Sequence, residues 1–271
     1  MKTSPLLAPT LLRRSLLSLF ALASASVEAG PLLWNDNSLS YLYGQHFKVD
    51  GTGDDTQQTV TFEHASGWTW GDVFMFVDNK WSNGLSGGDG HTYYGEFSPR
   101  LSLGKISNRS LSYGIVKDVL IAATYERGED RNRKYLLGPA VDLALPGFDR
   151  FSLNTYYRKP AGITGKASGQ WHINPTWSTT PPPGRSDILL DGYLEWYVND
   201  VGNKGTSNYV AKSLHFNPQI KYDVGKALGQ RQKQFYAGLE WDYWSNKYGI
   251  EDTSGFETDQ NALSLLLKVH F

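Results

Sequence analysis

Cysteine is absent from the 271 residues, which excludes disulfides, thiolate metal sites and cysteine catalysis. Neither sign of charge dominates. The 26 Lys and Arg stand against 27 Asp and Glu, a net charge of -1 that argues against a general nucleic-acid binder. Beyond the N-terminus no apolar run approaches the about 20 residues of a membrane helix. Mean hydropathy is -0.42, so a bundle of such helices is excluded. Large rings, by contrast, are plentiful. With 9 Trp, 16 Tyr and 12 Phe, the chain carries too much bulky apolar surface to remain disordered. The length suits one large domain or two modest ones, and an all-β barrel of this size is normally a single domain.

The N-terminus reads as an address. Lys2, Arg13 and Arg14 precede an apolar run from Leu16 to Ala25, followed by small residues. This is the order of a secretory signal, and the run is short for a membrane anchor. Residues 1–29 are therefore expected to be a cleaved leader, with cleavage after Ala25 or Ala29. Residues 30–271 are expected to form one domain.

The remaining chain alternates with period two. Leu263, Leu265, Leu267, Val269 and Phe271 interleave with Ala262, Ser264, Leu266, Lys268 and His270. The same alternation recurs in other segments, such as Tyr236 to Tyr243, Ser213 to Val224, Leu190 to Val198 and Gln170 to Trp177. A period of 3.6 would scramble these faces. Twelve strands are predicted: 38–49, 56–65, 68–78, 92–103, 116–127, 134–144, 149–159, 168–178, 187–198, 212–224, 232–244 and 259–271. Each is near the length of a tilted membrane strand. Pro99, Pro139, Pro175 and Pro218 fall in strand-like runs and are expected at strand ends or bulges.

The connections alternate in character. Polar, Gly-rich segments (50–55, 79–90, 128–133, 159–167, 199–211 and 245–258) are expected as outer loops. Tight turns such as Ser66-Gly67 and Leu145-Pro146-Gly147-Phe148 are expected at the periplasmic end. The stretches 104–115 and 179–187, the second holding Pro181-Pro182-Pro183-Gly184, are long for such turns. An even strand count leaves both ends on the periplasmic side. Alternation alone does not separate a soluble barrel from a membrane barrel, because the two differ only in which face points outward. Three features favour the membrane: the export signal, the terminal Phe271 of an alternating strand, and the content of the faces. Charges such as Glu96, Arg100, Glu195 and Glu240 occupy the polar face. Trp177, Trp196, Tyr222, Trp241 and Tyr243 occupy the apolar face near strand ends, where headgroup-level rings belong. The predicted fold is a 12-stranded antiparallel transmembrane β-barrel of the bacterial outer membrane.

A family resemblance rests on several short blocks in order. They are Trp70-Gly71-Asp72-Val73-Phe74-Met75-Phe76-Val77-Asp78, Glu96-Phe97-Ser98-Pro99-Arg100-Leu101-Ser102, Ser112-Tyr113-Gly114 and Tyr135-Leu136-Leu137-Gly138. Leu145-Pro146-Gly147-Phe148, Asp191-Gly192-Tyr193, and Gly238-Leu239-Glu240 with Asn246-Lys247-Tyr248-Gly249 complete the set. Together they resemble the Tsx/OmpK-like nucleoside-specific channel-forming proteins of Gram-negative outer membranes, over nearly the whole mature chain. The resemblance implies a monomeric twelve-stranded barrel with a narrow lumen that passes nucleosides. It also implies a setting of outer-membrane lipid and lipopolysaccharide.

With Val73, Met75 and Val77 facing lipid, Trp70, Asp72, Phe74, Phe76 and Asp78 face the lumen. Rings there suit stacking with a base, and carboxylates suit ribose hydroxyls or exocyclic amines. Tyr193, Tyr197, Glu195, Tyr236 and Glu240 extend this lining as candidate solute contacts. Glu96 and Arg100, on one face of one strand, also stand among the candidates, although an ion pair between them is the first reading. His172 and His215 read as ordinary wall positions. Asp54-Asp55 and Gly88-Asp89-Gly90 read as solvated acidic loops, and no metal or cofactor is expected. Further expected partners are the barrel-insertion machinery, through Phe271, and phage or bacteriocins at the loops. The alternative reading is a surface or structural barrel acting as receptor or adhesin. Less favoured is a lipid-modifying outer-membrane enzyme, for which no motif joins the Ser, His and acidic residues.

Overall fold

The computed structural model describes residues 31–49, 52–83, 90–129, 133–161, 167–182 and 187–271. The leader expected over 1–29 lies outside the described residues. The strands are β1 (Leu32–Val49), β2 (Thr52–Trp68), β3 (Gly71–Ser82), β4 (His91–Ser102), β5 (Val116–Gly128) and β6 (Arg133–Leu143). They continue with β7 (Arg150–Ala161), β8 (Gln170–Thr179), β9 (Ile188–Tyr197), β10 (Ser213–Asp223), β11 (Phe235–Ser245) and β12 (Gln260–His270). Each pairs antiparallel with its sequence neighbours, and β12 pairs back onto β1, closing a barrel. Closure leaves no open sheet edge, which is what a strand-built span of lipid requires.

The period-two pattern sorts side chains to two faces, and the faces are inverted relative to a soluble protein. Leu39, Tyr41 and Tyr43 on β1 and Leu263, Leu265, Leu267 and Val269 on β12 are exposed. Their alternates Ser38, Ser40 and Leu42, and Ala262, Ser264, Leu266 and Lys268, are buried. Apolar outside and polar inside is the arrangement of a barrel solvated by lipid. Trp196, Tyr222 and Trp241 stand on the outer face, each well exposed. Trp241 also packs against Phe216, which touches Trp177.

The start of β1, the end of β12 and the β2–β3 turn share one end of the barrel, the terminal end. The other end carries the loops. At the terminal end, Leu145-Pro146-Gly147-Phe148 forms the expected tight turn, with Gly147 at φ +90 and the Phe148 N–H donating to Leu145 O. Ser66-Gly67 is not a turn. Both residues lie inside β2, and the chain reverses at Thr69-Trp70 instead. Gly67 serves packing: a Cβ there would lie 2.1 Å from Trp34 Nε1. The long stretch after β4 holds a short helix, α1 (Leu103–Ser107), capped by Ser102 Oγ accepting from Lys105 N–H at 3.1 Å. A second, α2 (Val224–Ala227), follows β10. At the loop end, most of 50–55 belongs to the β1–β2 hairpin rather than to a loop. Parts of the expected loops at 84–89, 130–132 and 162–166, and Pro183-Gly184, lie outside the described residues.

The four prolines sit inside strands, in register, contrary to the expectation of ends or bulges. Pro99 pairs with Val73, Pro139 with Ile121, Pro175 with Leu153 and Pro218 with Gly192. A strand residue directs its N–H to one neighbour only, so a proline disturbs one ladder and spares the other. The gaps appear on that side in every case. The β4–β5 ladder skips from Phe97 to Arg100, and β6–β7 from Leu137 to Ala140. Likewise β8–β9 skips from Ile173 to Thr176, and β10–β11 from Phe216 to Gln219. Lumen side chains close two of these gaps. Asn174 Nδ2 donates to Leu194 O at 3.0 Å, and Ser98 and Thr124 hydroxyls bond at 2.9 Å.

Candidate functional site

The inward faces of the strands enclose a cavity of about 1050 Å³. Asp72, Phe74, Phe76 and Asp78, alternate residues of β3, line it together with Glu96 and Arg100 of β4. Tyr193, Glu195 and Tyr197 of β9 and Glu240 of β11 complete the expected residues that reach it. Two expected contacts do not. Trp70 lies in the β2–β3 turn, beyond the start of the strand alternation, and stacks on Trp68 with ring centroids 6.1 Å apart. Tyr236 is buried at the terminal end, edge-on to His270, and is not among the cavity-lining residues.

A run of rings follows β3 onto β4. Phe74 and Phe76 centroids are 6.1 Å apart, and Phe76 and Tyr94 5.9 Å. Phe74 is 40% exposed although it lies inside the barrel. Carboxylates flank the run. Tyr94 Oη donates to Glu96 Oε1 at 2.7 Å, and Asp78 accepts from Thr61 Oγ1 at 2.7 Å and meets Lys80 at 3.2 Å.

Glu96 and Arg100 do not pair with each other. Four residues along a strand separate side chains by about 13 Å, whereas cross-strand neighbours lie about 5 Å apart. Arg100 therefore grips its cross-strand partner Asp72 through Nε and Nη2, both at 2.8 Å, and donates from Nη1 to Asp142 at 2.9 Å. Ser152 Oγ also donates to Asp142, at 2.6 Å. Glu96 instead faces Glu126 across β4 and β5. Glu126 is held by Arg158, at 3.0 and 3.2 Å, and by Lys134 at 3.1 Å.

On the opposite wall, acids and imidazoles alternate across strands. Glu195 lies 3.4 Å from His215 Nδ1 and 3.9 Å from His172 Nε2, and His215 Nε2 lies 3.1 Å from Asp242. His172 stacks on Tyr197 at 4.4 Å, and the Arg158 guanidinium lies 4.6 Å from the centroid of the same Tyr197 ring. Glu240 accepts from Gln219 Nε2 at 2.7 Å. Nearer the terminal end, Lys221 pairs with Asp191 at 2.6 Å and Lys268 with Glu63. The loops 198–212 and 246–259 meet at the mouth: Ala211 N–H donates to Gly249 O at 2.8 Å, and Lys204 pairs with Glu251 at 2.5 Å.

Sequence reasoning leaves Glu126 and Arg158 out of the site and reads His172 and His215 as plain wall. Strand parity already puts these residues inward. Their importance lies in cross-strand partners, which parity does not reveal. Among the described residues no cluster of three or more His, Asp or Glu is arranged to hold a metal ion.

A closed twelve-stranded barrel with an apolar exterior and a polar, ring-lined tunnel is an outer-membrane channel. The comparisons narrow the class. The family described as the nucleoside-specific channel-forming protein Tsx matches residues 34–271, and the chain belongs to that family. No curated protein matches the chain. Among solved structures, a KdgM porin shares 12% identity at a TM-score of 0.46, covering 86% of this chain and 99% of that one. A second KdgM structure, in complex with disordered oligogalacturonate, has the same identity, coverage and score. OccK11 (OpdR) of Pseudomonas aeruginosa shares 11% identity at a TM-score of 0.39, covering 90% of this chain and 98% of that one.

Proposed function

We propose that the protein is a passive channel selective for nucleosides or closely related small solutes. The observation that carries this reading is the Phe74–Phe76–Tyr94 run on the lumen wall, with Asp78 and Glu96 beside it. Exposed rings in a wet tunnel are unfavourable unless a solute covers them. A nucleobase offers a π face to the rings, and its exocyclic amines and ribose hydroxyls offer donors to the carboxylates. Several weak contacts in series favour passage over trapping, because conduction requires that the solute also leave. Family membership supports the same reading.

The test is solute influx into liposomes carrying the purified protein. Adenosine or uridine is expected to enter faster than a hexose of similar size. Phe74→Ala and Phe76→Ala are each expected to lower that preference by roughly fivefold or more, the lower end of one base–ring stack. Equal influx of nucleoside and hexose through the unaltered protein would overturn the reading.

A further inference from the structure

The outward faces of β5, β6 and β7 carry charge where the rest of this wall is apolar. Side chains two positions apart on a strand share a face, and the ladder sets them in rows. In the row nearest the loops, Arg127 stands directly opposite Arg133. In the next row Tyr125 opposes Tyr135, and Tyr135 opposes Lys159. One row further down, Leu137 opposes Tyr157, and Tyr157 opposes Trp171. The Tyr125 and Tyr135 centroids are 5.3 Å apart, and those of Tyr157 and Trp171 5.6 Å. Tyr135, Leu137, Tyr157 and Trp171 are all exposed on the outer wall.

Nothing on this face answers the three cations. From Val119 onward the outward positions of β5 hold no carboxylate, and neither do those of β6 and β7. Glu129, at the exit of β5, lines the cavity instead. The side chains of Arg127, Arg133 and Lys159 form no ion pair with a described residue, and Arg133 Nε is shut off from solvent with no hydrogen-bond partner among the described residues. Like charges directly opposite each other on one face of a sheet repel. An anion held between them reverses that sign, and two guanidinium forks match the paired oxygens of a phosphate. The level fits as well. Rings on a lipid-facing wall mark the headgroup region, and the arginine pair lies two positions, about 7 Å, beyond the Tyr125–Tyr135 row. In an outer-membrane barrel the loop end faces the cell exterior, so this level belongs to the outer leaflet, whose glycolipid carries phosphates on its sugars.

We propose that Arg127, Arg133 and Lys159 form a binding site on the outer wall for the phosphate groups of the outer-leaflet glycolipid. Its acyl chains then lie over Leu137, Tyr157 and Trp171. The Lys159 stem runs along the rings and lifts its ammonium toward the arginines, as long cationic side chains do at a lipid interface. The site is separate from the lumen and does not depend on the nucleoside reading.

The experiment titrates the detergent-solubilised protein with bis-phosphorylated lipid A, with the same lipid stripped of its phosphates, and with inorganic phosphate, reading bound species by native mass spectrometry. The proteins are the unaltered chain, Arg127→Gln, Arg133→Gln, the double variant and Lys117→Gln. Lys117, exposed at the terminal end of β5, is the control for loss of a cation elsewhere. The Kd for lipid A is expected to rise roughly tenfold or more in the double variant, as for loss of charge-assisted hydrogen bonds, and to stay unchanged in Lys117→Gln. Stripping the phosphates is expected to weaken binding to the unaltered chain by a similar factor. If the double variant binds lipid A as tightly as the unaltered chain, the proposal fails. It fails too if the stripped lipid binds equally well, because the rings alone then hold it, or if inorganic phosphate binds as tightly as lipid A, because the pair is then a free-anion site. In phosphatidylcholine vesicles without lipid A, the double variant is expected to unfold at the same urea midpoint or a higher one, since the opposed charges are gone. A lower midpoint there would overturn the claim that the pair is unsatisfied without its phosphate.

Discussion

Arg158 shows how single residues carry the lumen. Its guanidinium holds the carboxylate of Glu126, whose side chain is 2% exposed, and lies over the Tyr197 ring. Breaking such a pair leaves a buried charge without its main partner, which costs about 3–5 kcal/mol. Arg158→Ala is accordingly expected to lower barrel stability by that order in urea unfolding from lipid, with Arg158→Lys recovering only part because the two-pronged grip is lost. An unchanged midpoint for Arg158→Ala would remove Glu126 from the residues that depend on it. Asn174 is a quieter case. It replaces the N–H that Pro175 lacks by donating to Leu194 O, so Asn174→Ala is expected to cost about 1–3 kcal/mol in the same assay. At this scale the sequence is half legible. Inward parity identifies Asp72, Phe74, Phe76, Glu195 and Glu240. It does not reveal that Arg100 turns to Asp72 and Asp142 rather than to Glu96, because partners are set by register between strands, and register depends on turns and long loops.

The elements were more legible than their boundaries. All twelve strands follow from alternation, yet β1 starts six residues before the expected Ser38, and β2 runs through Ser66-Gly67. A glycine beside a serine reads as a turn only while its packing against Trp34 is unknown. The prolines mislead for a related reason: whether a strand tolerates proline depends on which neighbour its N–H would face. Among the loops, 246–259 carries a prediction of its own. The Asp252 carboxylate accepts from Thr258 and Asp259 N–H at 2.6 and 3.0 Å, and these donors hold it below its ordinary value of 3.8. A lowered carboxyl supports the folded loop above its unfolded value and loses that support as pH falls through the folded one. Protection of the Thr258 and Asp259 amides, taken relative to an unfolded chain at the same pH, is thus expected to hold from neutral pH down to 3.8 and to fall below it. Loosening that begins near neutrality would contradict this account.

Across the whole molecule, the lumen is crowded with charge but not balanced. Among the described residues, ten carboxylates line the cavity against eight Lys and Arg. Rings of fixed charge bias which small ions enter a pore, and salt screens the bias over about 10 Å at 0.1 M. In a planar bilayer under a KCl gradient, the reversal potential is expected to show a mild preference for potassium that shrinks as salt rises. A preference for chloride at low salt would mean that the eight cations control the tunnel. The fold itself was legible at this scale because alternation, strand number and an inverted surface all agree. Solute choice was less so, since it depends on side chains that meet only once the barrel closes.

That closure also sets the order in which the molecule can form. Ser38 pairs with His270, and Asp36 and His270, 234 positions apart, meet at 2.8 Å. Lys268 reaches over β1 to Glu63. No shorter-range contact can stand in for this seam, so the first strands must wait with open edges until the last is available. Contacts so distant in sequence make folding slow, and unpaired edges invite pairing with the wrong chain meanwhile. The same seam that makes the finished barrel edge-free makes the unfinished one the most vulnerable stage of its life.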